Sequence, residues 1–316
     1  MKLKNMNSIM AKSVAVLAAC AALNANAGTA PAPAPAPEEP SSLFDSVGAE
    51  LSAAYDSRYY FRGLWFADNI VSTFLNLSVP LMGGGQEDGG SLTWGIGAGY
   101  ISTADTPFIP TANNPVDGDF DYSEIDIYTS LTYDVGWAKF GMQYQYYFYP
   151  DTYGGSNSGL ANGGTDPEFG IKGNSELGFT VGIPIGALNL GFGYFHDFTV
   201  GGHYFQASAD YTIAVTDWMS IVPAIQTGYG IDYYTGNNTA VLTNLNGQAA
   251  SNFGGGTFPT SGFTHLLVSV SAPIKVTKSA TFVPYIAWNH SLDLRSSLNL
   301  TTHNEVYWGA KVAISF

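Results

Sequence analysis

Cysteine and charge are both scarce in this chain. A single cysteine, Cys20, stands among 316 residues, so no intrachain disulfide can form and a disulfide-stapled secreted scaffold is excluded. Only 11% of residues are charged, against about a quarter in ordinary soluble domains. Cations are the scarcer sign: 11 Lys and Arg face 25 Asp and Glu, a formal net charge of -14. That balance argues against a nucleic-acid surface, which needs clustered cations. Long apolar runs are missing too. After the N-terminal segment nothing approaches the roughly 20 continuous apolar residues of a membrane-spanning helix. Yet 46% of residues are apolar and 14% aromatic. High apolarity without a helical span leaves a membrane β-barrel, with a large secreted β-sandwich as the alternative.

What is present begins with a processing signal. Lys2, Lys4 and Lys12 form a positive end, Ser13 to Leu23 an apolar core, and Ala25-Asn26-Ala27 an A-x-A cleavage site. Residues 1–27 are therefore expected to leave as a signal peptide. The rival is Leu17-Ala18-Ala19-Cys20, which matches a lipobox and would lipidate Cys20. Cleavage after Ala27 removes three cations, leaving eight against 25 acids and a net charge of -17. Residues 28–46 contain Ala30-Pro31-Ala32-Pro33-Ala34-Pro35-Ala36-Pro37. Alternating proline fixes φ and removes donors, which predicts a polyproline-like periplasmic tail.

From residue 47 to 316 one theme repeats: about ten alternating residues, a short turn, about ten more, then a polar loop. The last strand is the clearest. Val306, Trp308, Ala310, Val312, Ile314 and Phe316 fall on one side, while Glu305, Tyr307, Gly309, Lys311, Ala313 and Ser315 fall on the other. The earlier strands read Val47 to Tyr55, Val71 to Leu81, then Leu92 to Tyr100, with Gly83 to Gly90 as a turn. Ile125 to Tyr133 and Phe140 to Phe148 follow, then Leu177 to Ile183, Leu188 to Tyr194, Phe205 to Ile213, Ile221 to Ile231, Leu266 to Ile274 and Phe282 to Trp288. With the last strand these make about 12, an even number that places both chain ends on one side. The long connections then share the other side: Ser57 to Asn69, Ser102 to Asp119, Pro150 to Gly173, Tyr233 to Gly262, and Ser291 to Thr302. Trp94, Tyr133, Trp137, Tyr211 and Trp218 sit near the short turns, and Tyr100, Tyr144, Tyr146, Phe148, Tyr194, Tyr229 and Trp288 near the loops. Two such girdles are what amphipathic rings form at two membrane interfaces. Pro80, Pro223 and Pro284 fall inside strands, where a missing N–H predicts bulges or breaks in pairing.

The terminal alternation ending on an aromatic residue resembles the C-terminal signature of bacterial outer-membrane β-barrels. Trp308, Val312, Ile314 and Phe316 would then be read by the barrel-assembly machinery, with outer-membrane lipids around the wall. At Tyr55-Asp56-Ser57-Arg58-Tyr59-Tyr60-Phe61-Arg62-Gly63-Leu64 the chain also resembles the TorF family of porins, whose early strand reads S-D-Y-x-F-R-G-x. Asp56, Phe61, Arg62 and Gly63 carry the match; one extra residue and Tyr59-Tyr60 depart from the usual spacing. The resemblance spans barely a dozen residues and implies a channel without naming a solute.

The expected lumen follows from the alternation. Glu50, Glu124, Asp126, Glu176, Asp210 and Glu305 fall inward against Lys139 and Lys311. A surplus of carboxylates favours cations, so a mildly cation-favouring channel for small hydrophilic solutes is expected. Arg58 and Arg62 end the first strand and Arg295 lies in the last loop; closure would gather them into a basic patch facing Glu124 and Asp126, or leave them to lipid headgroups and Asp56. Inward Gly, Ser, Thr, Asn and Gln predict space for water. No cofactor is implied, since the five histidines (His196, His203, His265, His290, His303) lack H-x-H or H-x3-H spacing and Gly254-Gly255-Gly256 opens no helix. An enzyme acting on lipid would need His290 and Ser291 to meet, although neighbours on a strand point to opposite faces. Adhesion through the Gly/Asn/Thr-rich loops is the third possibility. Oligomeric state stays open.

Overall fold

The computed structural model describes residues 47–82, 90–104, 122–150, 173–234, 259–296 and 304–316. The expected signal and tail, most of the turn at 83–90, the longest loops and His303 lie outside the described residues.

Period-two alternation folds as it reads. Twelve strands build one antiparallel sheet: β1 Gly48–Phe61, β2 Leu64–Met82, β3 Ser91–Thr103, β4 Ser123–Asp134, β5 Lys139–Phe148 and β6 Gly173–Ile185, then β7 Leu188–Asp197, β8 His203–Tyr211, β9 Ser220–Ile231, β10 Ser261–Ser271, β11 Ala280–Ser291 and β12 Asn304–Ser315. Two-residue pieces, Ile213–Ala214 and Ile274–Lys275, add pairs to β9 and β11. A single helical turn, α1 (Asp293–Ser296), follows β11. The sheet closes where β1 meets β12, from Glu50 opposite Ser315 to Asp56 opposite Gly309. Phe316 N–H then donates to Ala49 C=O at 2.8 Å, carrying the seam to the last residue. No edge is left, which is how a sheet survives where water cannot satisfy backbone groups. Every strand except β8, with nine residues, has at least ten; a tilted span needs about 9–11.

The two faces differ as the sequence implied. Leu75, Ile96 and Ile127 on the outer face are 47%, 39% and 53% exposed, whereas inward Ser72 and Asp126 are 5% and 2% exposed. An apolar belt that water would not tolerate therefore wraps the barrel, and Trp94, Trp137, Tyr133, Tyr100 and Tyr144 stand exposed along it. Inside, glycine lets aromatic rings lie flat on the wall. A Cβ on Gly99 would collide with the Phe74 ring and one on Gly97 with the Tyr128 ring.

The three prolines expected inside strands, Pro80, Pro223 and Pro284, sit at interruptions, while Pro184 stands near the end of β6 opposite Asn189. The register of β2 against β3 shifts between Pro80 and Met82. Pairing of β9 with β8 begins only after Pro223, at Ala224. The β10–β11 ladder ends at Tyr285, beside Pro284, and resumes at Phe282 with Ile274. One boundary needs correction: Ser57 to Asn69 is not a long loop. Strands β1 and β2 run on through it and join at Arg62-Gly63. Both turn residues have positive φ, 50° and 81°, the requirement of a two-residue I′ hairpin. The turn carries no hairpin signal in the sequence, because the usual Asn-Gly or Asp-Gly is here Arg-Gly.

Candidate functional site: a hairpin across the barrel

The β1–β2 hairpin does not stay in the wall. Up to Asp56 only Ser52 and Asp56, both on the inward side, are buried; beyond it Tyr59, Tyr60, Phe61, Arg62, Gly63 and Leu64 are buried one after another. Burial of both faces means that the ribbon has protein on both sides. Two ladder faults mark the departure. Asn69 takes a positive φ of 53° opposite Ser57, and the register shifts between Tyr59 and Tyr60. Extra twist at such faults re-aims a strand.

The contacts show where the hairpin goes. Tyr59 and Phe66 pack on Tyr122, just before β4, at ring distances of 5.6 and 5.7 Å. Phe61 meets Tyr147 of β5 edge-on at 5.7 Å. Tyr60 turns to Tyr307 of β12, 5.3 Å away. A Cβ added to Gly63 would come within 2.7 Å of the His265 Cβ on β10. At the tip, Arg62 crosses to the far wall. Its Nη2 donates to Glu176 Oε1 of β6 at 2.6 Å, and its Nη1 donates to Glu176 Oε2 and to the Tyr233 hydroxyl. The guanidinium carbon lies 4.2 Å from the Phe195 ring centre, 4.4 Å from Tyr204 and 5.2 Å from Tyr233. In sheet order β6, β7 and β8 stand opposite β1, so the hairpin spans the lumen at its loop end. Leu64, Ile70, Ile101 and Phe195 complete one aromatic core with it, each 1% exposed.

Electrostatics explain how a charge is tolerated there. Arg62 and Glu176 side chains are each 1% exposed, so burial strips water from both charges. The Glu176 carboxylate supplies the countercharge and the Tyr233 hydroxyl a further acceptor. Bidentate geometry is the arrangement in which a buried pair recovers most of its desolvation cost.

The other candidates all face the interior, but not as one constellation. Arg58 lies 2.9 Å from Glu305 and 3.6 Å from Asp68. Lys139 pairs with Asp134 at 3.2 Å, and Lys311 with Glu50 at 3.4 Å. The expected basic patch does not form, because Arg58 is engaged along the seam while Arg62 reaches the opposite wall; the Arg295 side chain is outside the described residues. Glu124 accepts from the Tyr122 hydroxyl, and Asp126 lies beside Gln145 and Glu124. Asp210 accepts from Asn189 at 2.8 Å. Thus the described inward cations are matched one by one, while Glu124 and Asp126 form a carboxyl pair and Asp210 rests on the Asn189 amide. His290 points outward toward Asn304 and Ser291 is buried inward, so the two do not meet.

The expectation that many inward positions carry small polar groups holds at the turn end. There Gly95, Gly141, Gly182, Gly191, Ser130, Thr132 and Ser208 occupy inward register positions. At the loop end it is corrected: bulky aromatics fill the interior. Tyr147, Phe195 and Tyr204 already fell on inward positions of their strands, so large rings on the polar face were the available signal. Nothing local could show that Tyr59 to Phe66 would join them. Asp56, part of the Asp-Phe-Arg-Gly motif, accepts from Tyr285 across the β1–β12 seam, which anchors the hairpin's base.

No family model and no curated protein matches the chain. Among solved structures it is similar to an outer-membrane channel from Pseudomonas putida F1, with 9% identity over 85% of this chain and 95% of that one, at a TM-score of 0.42. It is similar also to LpxR from Salmonella typhimurium, with 11% identity over 84% and 99% at a TM-score of 0.42. A third is the NanC porin, with 9% identity over 84% and 98% at 0.39. Two of these bear the names of an outer-membrane channel and a porin, and at such similarity the closed 12-stranded barrel rests on the strand pairing itself.

Proposed function

We propose that this chain is a bacterial outer-membrane channel of the TorF porin type, passing small hydrophilic solutes by passive diffusion with a mild preference for cations. The observation that carries this is the interior charge pattern inside an apolar belt. Arg58, Arg62, Lys139 and Lys311 each sit on a carboxylate, whereas Glu124 and Asp126 hydrogen-bond one another beside the Tyr122 hydroxyl and the Gln145 amide, Asp210 accepts from Asn189, and none of the three is paired with a cation among the described residues. Carboxylates without a cation of their own lower the energy of a mobile cation in a narrow conduit. The Gly, Ser and Thr wall of the turn end supports a wet lumen leading to them. No step of catalysis or cofactor enters this reading.

The test is reversal potential under a salt gradient for protein reconstituted in planar bilayers. Cation preference that weakens in Asp210→Asn, and further in Glu124→Gln with Asp126→Asn, supports the reading. An unchanged potential removes these residues from the conduit. The packed hairpin favours a second reading, a closed barrel that acts on lipid or through its loops as an adhesin; lack of any conducting state, with the hairpin shortened, would favour it over the first, and phospholipid hydrolysis and ligand adhesion would separate its two forms.

A further inference from the structure

We propose that the β1–β2 hairpin is a movable plug, latched across the barrel by Arg62 on Glu176, and that its withdrawal opens the conduit. This rests on the channel reading above. Three independent features separate a plug of this kind from a static core.

The first is its attachment. The hairpin continues the wall strands but leaves them at two ladder faults, at Ser57/Asn69 and between Tyr59 and Tyr60. Few backbone pairs need to change for the ribbon to swing back into line, and hinges are short element-terminal segments of this sort. The second is the tip. A ribbon meant only to fill an aromatic cage would do so with an apolar residue, because replacing a buried ion pair by well-packed apolar groups is often neutral or stabilising. Instead the tip carries a guanidinium whose docked state depends on one carboxylate 114 residues away. The third is position. The contact partners of the tip lie on β6, β7 and β8, opposite its own strands, so docking closes the lumen and undocking clears it. Phe61, Phe195, Tyr204 and Tyr233 around the guanidinium hold it by cation–π attraction. That attraction orients the tip without fixing it covalently.

The experiment is single-channel recording of the full chain in planar bilayers, with folding verified by heat-modifiable gel mobility. Wild type is compared with Arg62→Ala, Glu176→Gln, and an Arg62→Cys/Glu176→Cys pair in a Cys20→Ser background. The pair is then bridged by a short, reducible bismaleimide. Latching predicts that wild type is mostly closed and that each single variant raises the open fraction at least about tenfold. The bridged pair should be closed and should open when reductant cuts the bridge. Equal open fractions in wild type, the variants and the bridged pair would overturn the latch while leaving the channel intact. Silence of every folded variant, including one with residues 59–66 replaced by a short Gly/Ser turn, would overturn the channel and the latch with it.

Discussion

Glu176→Gln is the perturbation whose size the structure sets most directly. It leaves the Arg62 guanidinium buried, with its side chain 1% exposed, but without a countercharge. Removing one partner of a buried pair costs about 3–5 kcal/mol. The low end applies, because glutamine keeps one acceptor oxygen and the ring contacts survive. A loss of about 3 kcal/mol shifts docked against undocked hairpin by about a hundredfold. Hydrogen exchange reads that ratio locally. Amides of residues 59–66 should exchange about a hundredfold faster than in wild type, while amides in the β4–β5 wall keep their protection. The paired control is Arg62→Met with Glu176→Leu, in which no buried charge remains; its hairpin amides should stay close to wild-type protection. Hairpin exchange in Glu176→Gln within threefold of wild type would refute the claim that the ion pair holds the hairpin in the lumen.

Other expectations test the frame around this site. Gly63→Val places a branched side chain at φ +81°, with its Cβ 2.7 Å from that of His265; the left-handed backbone alone costs about 1–2 kcal/mol, and hairpin exchange should accelerate accordingly. Ile96→Arg puts a cation on the apolar belt and should lower unfolding free energy in urea-titrated liposomes by about 2–4 kcal/mol, whereas Ser130→Arg, facing inward, should cost far less. Equal losses from both would contradict the assignment of faces. Deleting Phe316 should lower the yield of membrane-inserted barrel in cells. It should leave refolded protein nearly as stable, since only the final seam bonds to Ala49 are lost.

The sequence by itself determined the wall. Alternation is a local consequence of strand geometry, so the inward and outward sets of β2, β4, β5 and β12 could be read residue by residue, and with them the strand number, the closure of first strand on last and the belt. Where proline broke a ladder was legible for the same reason, because a missing N–H needs no partner to be noticed. The interior was a different matter. Glu124, Asp126, Asp210 and the lysines were correctly placed on the inward face, yet their partners depend on neighbouring strands that only pairing brings alongside. The hairpin from Tyr59 to Phe66 reads as a loop in the sequence, since two ladder faults and an Arg-Gly turn carry no periodic signal. Its docking joins Arg62 to Glu176 and Tyr233, contacts that exist only once twelve strands have closed a ring and set β1 opposite β6. Burial on both faces of a ribbon is a property of the space around it, and that space was decided by the tertiary structure alone.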